Sequence, residues 1–444
     1  MKRLGLAALA LAASCALAQA QGFDKLNHIV VIYLENRSFD NLYGLFPGAE
    51  GLQDLSAIPP QVDKAGTPYE KLPPVLYVGR KETKPDPRFP ADLPNKPFRA
   101  EPYVGLESVT GDAWHRFYQE QLQINGGRMD KFVAWSDAAS LVMSYYDGSS
   151  TPMWRIAKDY VLMDHFHHAA FGGSFLNHIY MICTCAPKFP NAPDDLKAQI
   201  GDDGALLKDG AVTPDGFAVN TLFPVNGPAP ANATPERLLP LQTDATIGDR
   251  LDEKGVDWAW YAGGWDDALA HRADPLFQFH HQPFAYFANF ALGSPGARRL
   301  KDEKDFVADI TAGHLPPVSF FKPVGEDNEH PGYTNVLAGE NHTAFLIELI
   351  QKSPLWADTA IIVTYDENGG LWDHVAPPKG DRWGPGTRVP TLLISPFARR
   401  GFVDHTVMDT TAIDKLIETR FGLAPLGTRD AASPDMSEAF DFGG

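Results

Sequence analysis

Two apolar runs in this chain carry their hydrophobic residues on consecutive rather than alternate positions. They are HIVVIYLENRSFDN, near the start, and TAIIVTYDENGGLWDH, more than three hundred residues later. Short Ile/Val-rich runs of this kind predict strands covered on both faces, as in a parallel sheet. Further strands are predicted at VDWAWYA, PPVSFFK and VPTLLISPF, and the segment TPMWRIAKDYVLMDHFHHAAFGGSFLNHIYMICT reads as helix, strand, tight turn and second helix. Helical periodicity also marks GDAWHRFYQEQLQINGGRMDKFVAW, which has a Gly-Gly stop and His115 near its start, and DTTAIDKLIETRFG close to the C-terminus. Two stretches break the alternation: 59–102, with eleven prolines, and 186–240, rich in Pro, Gly, Asn and Asp, both predicted to run over the surface. No internal repeat is present. The fold expected is one doubly wound α/β domain over 21–444, with a largely parallel central sheet flanked by helices and two long loop insertions.

The ends of the two apolar runs point to chemistry. One closes on Glu35-Asn36 and the other on Asp366-Glu367-Asn368. Ligands gather at the carboxyl ends of strands in open α/β sheets. Three carboxylates and an amide collected there would repel one another unless a cation sat among them, and oxygen donors suit divalent metals. For either segment alone, the plainer reading is that acidic residues and Asn start turns or caps, as Ser38 or Asp40 would before NLYGLF. Both segments together, with the histidines below, favour a metal site.

Composition narrows the setting. The start MKRLGLAALALAASCALAQAQG has the basic, apolar and small-residue order of a secretory signal, so residues 1–20 are expected to be a signal peptide and the protein to be exported, periplasmic or secreted. A lipoprotein reading at Cys15 ranks second, because Ala12-Ala13-Ser14 is a poor lipobox. No later run reaches the ~18 apolar residues of a membrane helix, so no stable membrane insertion is expected. Losing Lys2 and Arg3 with the signal takes the formal charge from −18 to −20, which disfavours nucleic acid as a partner. Cys183 and Cys185 read as two small buried side chains, because a bridge across one residue would be strained. The pattern carries no signature of an oligomeric state.

Ser174, in the Gly172-Gly173-Ser174 turn before a helix, is the strongest nucleophile candidate, since helix amides there stabilise negative charge. Its plainer role is a helix N-cap. The sequence G-G-S-F-L lacks the second glycine of a G-x-S-x-G elbow, which counts against a serine-esterase triad. Around it stand His280-His281 in FQFHHQPFAYF, His330 in GEDNEHPGYTN, and His115; if the His pair sits in a strand, only one of the two faces the site. His374 is placed to support the Asp366-Glu367 pair from behind. Phosphate-loop, H-E-x-x-H, C-x-x-C and G-x-G-x-x-G motifs are all missing.

Taken together, HIVVIYLENRSFDNLYG, FGGSFLNHIYMI, FQFHHQPF, the EHP segment and YDENGGLWDHVAPP resemble the bacterial acid phosphatase and phospholipase C family of phosphoesterases, whose fold is similar to alkaline phosphatase. The resemblance runs from about residue 25 to 422. It implies that Glu35, Asn36, Asp366 and Glu367 ligate a metal with Ser174, the nucleophile, and that His115, His280, His281 and His330 serve the phosphate site. Serine in place of the threonine usual in phospholipase C members, and a chain that stops soon after RFGLAPLG, make it look more like the acid phosphatase branch. Where many members have a D-H-T-S segment, this chain reads DTTAIDKLIE, so a role tied to that histidine is not carried over. The reaction expected is therefore hydrolysis of phosphate monoesters through a metal-assisted phosphoserine, with His330 chosen as the acid; because histidine titrates near pH ~6.5 unless perturbed, an optimum in mild acid is expected. The rivals are phospholipid diester cleavage by the same groups and, from another class, a secreted module that captures phosphorylated ligands. The donor set suits Mg, Ca, Mn or, less typically, Zn.

Overall fold

The computed structural model describes residues 22–79 and 82–443. The signal-peptide expectation and Cys15 fall outside them. Eight strands build the central sheet: β1 (His28–Leu34), β2 (Val161–Met163), β3 (Trp258–Ala262), β4 (Leu300–Asp302), β5 (Val318–Lys322), β6 (Thr359–Tyr365), β7 (Thr391–Ile394) and β8 (Phe402–Asp404). Their spatial order is β4-β3-β5-β1-β6-β7-β2-β8. All neighbours pair in parallel except β7, which runs antiparallel to both β6 and β2. The reason is local: no helix intervenes between β6 and β7, so the chain returns directly and must reverse direction, whereas parallel neighbours need a crossover.

Consecutive residues Ile29–Leu34 and Thr359–Tyr365 are all buried, so β1 and β6 are covered on both faces, as their unbroken apolar runs require. The principal helices are α1 (Phe39–Tyr43), α2 (Phe117–Ile124), α3 (Pro152–Asp159), α4 (Ser174–Cys183), α5 (Glu303–Ala312), α6 (Val336–Lys352) and α7 (Thr411–Phe421). Among them α3 and α5 both touch α6, while α4 packs on α7. Ser38 caps α1 by accepting the amide of Asn41.

The two insertions are anchored more firmly than a surface excursion needs. The first buries Leu72, Val75, Leu93 and Phe98, and the second buries Phe189, Val212, Val219 and Leu239. Each also lends residues to the main cavity: Val78 from the first, Asn220 and Thr221 from the second.

Two expectations need correction here. Cys183 and Cys185 form a disulfide, with their Cα atoms 5.1 Å apart. The left-handed backbone of Thr184, φ 48°, ends α4 and turns the two side chains toward each other. His374 does not support the Asp366-Glu367 pair. Gly369 and Gly370 take φ of +63° and +69°, where side chains other than glycine's are strained, and carry the chain away from β6 toward α1. There the His374 ring meets Asp40 Oδ2 at 2.7 Å.

That corner is organised by Arg388, which is fully buried. Its Nε donates to Asp373 Oδ1 at 2.9 Å and its Nη2 to Asp40 Oδ1 at 3.1 Å. Nη1 donates to the carbonyls of Glu50 and Asp164, both at 2.8 Å. The guanidinium also lies 4.5 Å from the centre of the Phe39 ring. Removing one partner of a buried pair strands the other charge. Asp373→Ala is therefore expected to cost about 3–5 kcal/mol in equilibrium denaturant unfolding. A change within about 0.5 kcal/mol would show that Arg388 does not hold this corner together.

Candidate active site

The register of β1 and β6 sets Leu34 beside Tyr365, so Glu35-Asn36 and Asp366-Glu367 leave adjacent parallel strands side by side. Asn36 takes φ +62°, a left-handed conformation that Asn tolerates better than most residues. Its amide N–H donates to Asp366 Oδ1 at 3.2 Å, and the amide of Glu367 donates to the same oxygen at 2.8 Å. Glu35, Asn36, Asp366 and Glu367 are all buried.

Ser174 opens α4 but does not cap it, because Gly173 is the N-cap residue. The Ser174 hydroxyl instead faces Asn36 Oδ1 and Glu367 Oε1, each at 3.3 Å. Gly173 is needed for the approach of a neighbouring segment: a Cβ there would lie 2.6 Å from the carbonyl oxygen of His115. This close packing of the turn against the start of α2 sets the His115 ring beside Ser174.

Histidines and one lysine complete the constellation. The Nδ1 of His115 meets the carbonyl of Ala113 at 2.6 Å, and the Nδ1 of His330 meets that of Pro331 at 2.5 Å. A carbonyl can only accept, so the proton of each neutral ring sits on Nδ1 and the Nε2 lone pairs face inward. Both accept from Asn36 Nδ2, at 3.3 Å from His115 and 3.0 Å from His330. His330 also stacks on Tyr333, with ring centres 3.9 Å apart. His281 pairs with Glu35 Oε1, and Lys322 Nζ reaches the same oxygen at 2.9 Å. His178, one helical turn after Ser174, lies with its Nδ1 3.6 Å from Asp366 Oδ2.

Glu35, Asn36, Ser174, His115, His280, His281, His330, Asp366 and Glu367 thus lie in one cluster, with His374 outside it and one correction of reasoning. Phe279–His281 is a 3₁₀ turn rather than a strand, so the alternation argument does not apply. His280 lines the cavity, while His281 sits behind Glu35 and stacks on His178, ring centres 5.2 Å apart. The sequence reading missed Lys322 and the part taken by His178. The available signals were a lone lysine closing the buried run PPVSFFK, and a histidine four residues after Ser174 on the same helical face.

The electrostatics are strained by design of the fold. Burial, then the neighbouring Glu35 charge, push Asp366 up to about 7. Burial and then Asp366 raise Glu367 as well. Glu35 goes the other way: burial opposes its charge, but His281 and then Lys322 outweigh it and hold the carboxyl well below the usual range. Burial lowers His178, His280 and His330, and brings His281 down to about 4. Three carboxylates therefore converge with one lysine and mostly neutral rings. Among the described residues, Asp366 Oδ2 and His178 Nε2 are buried without a hydrogen-bond partner. An acceptor oxygen and an imidazole nitrogen left open among carboxylates fit a divalent cation. Above them Ser174, Glu35, His115, His280, His330 and Tyr333 line a cavity of about 330 Å³.

Known proteins share this chain's sequence across most of its length. It is 25% identical over 461 residues to the non-hemolytic phospholipase C of Pseudomonas aeruginosa, covering 94% of this chain and 57% of that protein. It is 26% identical over 471 residues to phospholipase C A of Mycobacterium tuberculosis, covering 94% of this chain and 77% of that one. Among solved structures it is similar to a protein in the alkaline phosphatase superfamily from Vibrio parahaemolyticus, with a TM-score of 0.36, 12% identity and 65% of each chain covered. Residues 26–424 match the model of the phosphoesterase family. The chain belongs to the phosphoesterase family and is a hydrolase acting on phosphate ester bonds.

Proposed function

We propose that the chain hydrolyses phosphomonoesters through a phosphoserine on Ser174. The observation that carries this reading is the placement of the Ser174 hydroxyl, which caps no helix and instead meets Asn36 and Glu367 at the floor of a cavity lined by three imidazoles. Glu35, Asn36, Asp366 and Glu367, with Ser174, would hold the divalent metal. When bound, the metal supplies Lewis-acid stabilisation of the serine alkoxide and of one phosphoryl oxygen. The chain's own groups do the rest. The Ser174 hydroxyl releases its proton to water as its oxygen attacks phosphorus, the bond from phosphorus to the ester oxygen breaks, and His330 delivers a proton to the departing alcohol. Water then attacks the phosphoserine, releasing inorganic phosphate and restoring the hydroxyl.

With the metal at one non-bridging oxygen and His330 at the leaving group, His115 and His280 are placed for two further non-bridging oxygens, three in all, which a monoester has and a diester lacks. Because burial keeps His330 below histidine's ordinary value, it gains its proton together with the incoming anion rather than before it. A mild-acid optimum then belongs to the enzyme–substrate complex, not to the free enzyme.

Cleavage of phospholipid diesters by the same serine is the second reading, favoured by relatives named phospholipase C. Turnover of p-nitrophenyl phosphate against p-nitrophenylphosphorylcholine separates the two. Higher kcat/KM on the monoester supports the proposal, and the reverse order supports the diester.

Ser174→Ala should lower turnover by at least about a thousand-fold, roughly 4 kcal/mol, with the melting temperature unchanged. Turnover like that of the wild type would remove Ser174 as nucleophile. Exhaustive chelation should cost a rate factor on the order of a thousand, recovered on adding back a divalent ion. An enzyme indifferent to chelator would contradict the metal assignment. His330→Ala should lower kcat by about 10²–10⁴ on an alkyl phosphate, whose leaving group needs a proton, and far less on p-nitrophenyl phosphate. Equal losses on both substrates would mean that His330 is not the acid.

A further inference from the structure

A second group of metal-type donors lies away from the catalytic cavity, at the far side of the sheet. β2 and β8 pair in parallel with Met163 opposite Asp404, so the next residues, Asp164 and His405, emerge together at the carboxyl ends of the strands. The amide of Asp164 is fixed on the carbonyl of Asp404 at 3.1 Å. His405 Nδ1 lies 3.0 and 2.9 Å from the two oxygens of the Asp164 carboxylate. His165 brings Nε2 to 4.0 Å from Asp164 Oδ1 and 2.9 Å from Glu50 Oε2. One ligand atom each from Asp164, His165 and His405 falls within 4.8 Å of the others.

We infer that Asp164, His165 and His405, with Glu50 as fourth donor, form a second binding site for a divalent transition-metal ion. Two imidazoles and two carboxylates are donors that zinc and its neighbours take, whereas calcium and magnesium prefer oxygen alone. An ion at ~2.0–2.2 Å from each ligand needs donors roughly 3.3–3.6 Å apart in a tetrahedron, so small side-chain rotations are enough. The site is held in place before any ion arrives. Asp164 is fully buried, its carboxylate accepts the Glu50 amide at 2.7 Å, and Arg388 fixes the carbonyls of both residues. Two strand spacings separate β2 from β6, the strand that ends at Asp366, about 10 Å, so this ion would be distinct from the one at Asp366. Its role is a staple, joining the loop after α1 to the two strands at this end of the sheet.

The test uses the untagged full chain stripped with chelator and titrated with Co²⁺. In Asp366→Asn, which impairs the catalytic cluster, one Co²⁺ should still bind and give the visible absorption of a low-symmetry His/carboxylate complex. Adding His405→Ala should weaken that binding by at least about ten-fold. The His405 side chain is 59% exposed, so this replacement leaves the fold intact, and His165→Gln provides an independent second variant. Zn²⁺ should raise the melting temperature of Asp366→Asn but not of its His405→Ala derivative, while His405→Ala alone keeps its phosphatase activity. Co²⁺ affinity and Zn²⁺ stabilisation that are the same with and without His405 and His165 would overturn the inference, leaving only hydrogen-bonded histidine–carboxylate pairs.

Discussion

The repulsion among Glu35, Asp366 and Glu367 is the constraint around which the site is arranged. Parallel pairing of β1 with β6 forces Glu35 and Asp366 to within a strand spacing of each other, and burial removes the water that would screen them. Two unit charges ~5 Å apart at an effective dielectric near 20 repel by roughly 3 kcal/mol, and a third carboxylate adds to this. The fold answers with Lys322, buried at the end of β5 and bonded to Glu35 and to the carbonyl of Leu34. One lysine offsets one carboxylate. The excess is what makes a cation welcome, and it is concentrated on Asp366 and Glu367, the two groups whose carboxyls are pushed upward. Folding and catalysis therefore pull in opposite directions here, and the large apolar core around β1 and β6 carries the cost.

The same sheet explains which features the sequence made legible. Consecutive apolar runs ending in acidic residues name both the strands and the ends where chemistry gathers, so β1, β6 and their four polar successors could be read directly. Features set by chain direction or local turns could not. The reversed direction of β7 depends on a return path with no helix, and the run VPTLLISPF looks the same in either orientation. Alternation of the His280-His281 pair would hold only in a strand, whereas a 3₁₀ turn lets one ring face the cavity and the other press on Glu35. Thr184's left-handed backbone, which permits the Cys183–Cys185 bridge, has no signature in residue type, since threonine rarely adopts it. Lys322 was hidden because a single charge closing a strand is ordinarily a solvated end, and only its neighbours reveal that no solvent reaches it.

The insertions change in meaning once their anchors are seen. Buried apolar residues tie them to the body, and Val78, Asn220 and Thr221 reach the cavity wall. Trp114, half exposed, stands at the same wall beside His115. The floor of the cavity is made by strand ends and the start of α4, which tolerate little change, while much of its wall is made by loops that can vary without disturbing the sheet. On the proposed function, phosphoryl chemistry and leaving-group choice would reside on separate parts of the chain.

Asn36 shows how tightly backbone and chemistry are joined at the floor. Its φ of +62° already narrows the choice to residues such as Asn, Asp or Gly. The side chain narrows it further. Asn36 Nδ2 donates to the inward Nε2 of both His115 and His330, while Oδ1 accepts from Ser174. Glycine would keep the backbone and lose all three contacts. Aspartate would keep the acceptor but could donate to neither ring, so each imidazole would have to move its proton to Nε2 and forfeit its bond to Ala113 or Pro331. It would also bring a fourth carboxylate beside three that already exceed their compensation. Only the amide satisfies the turn, the two rings and the serine at once, which is why a residue that reads in sequence as a turn former stands at the centre of the site.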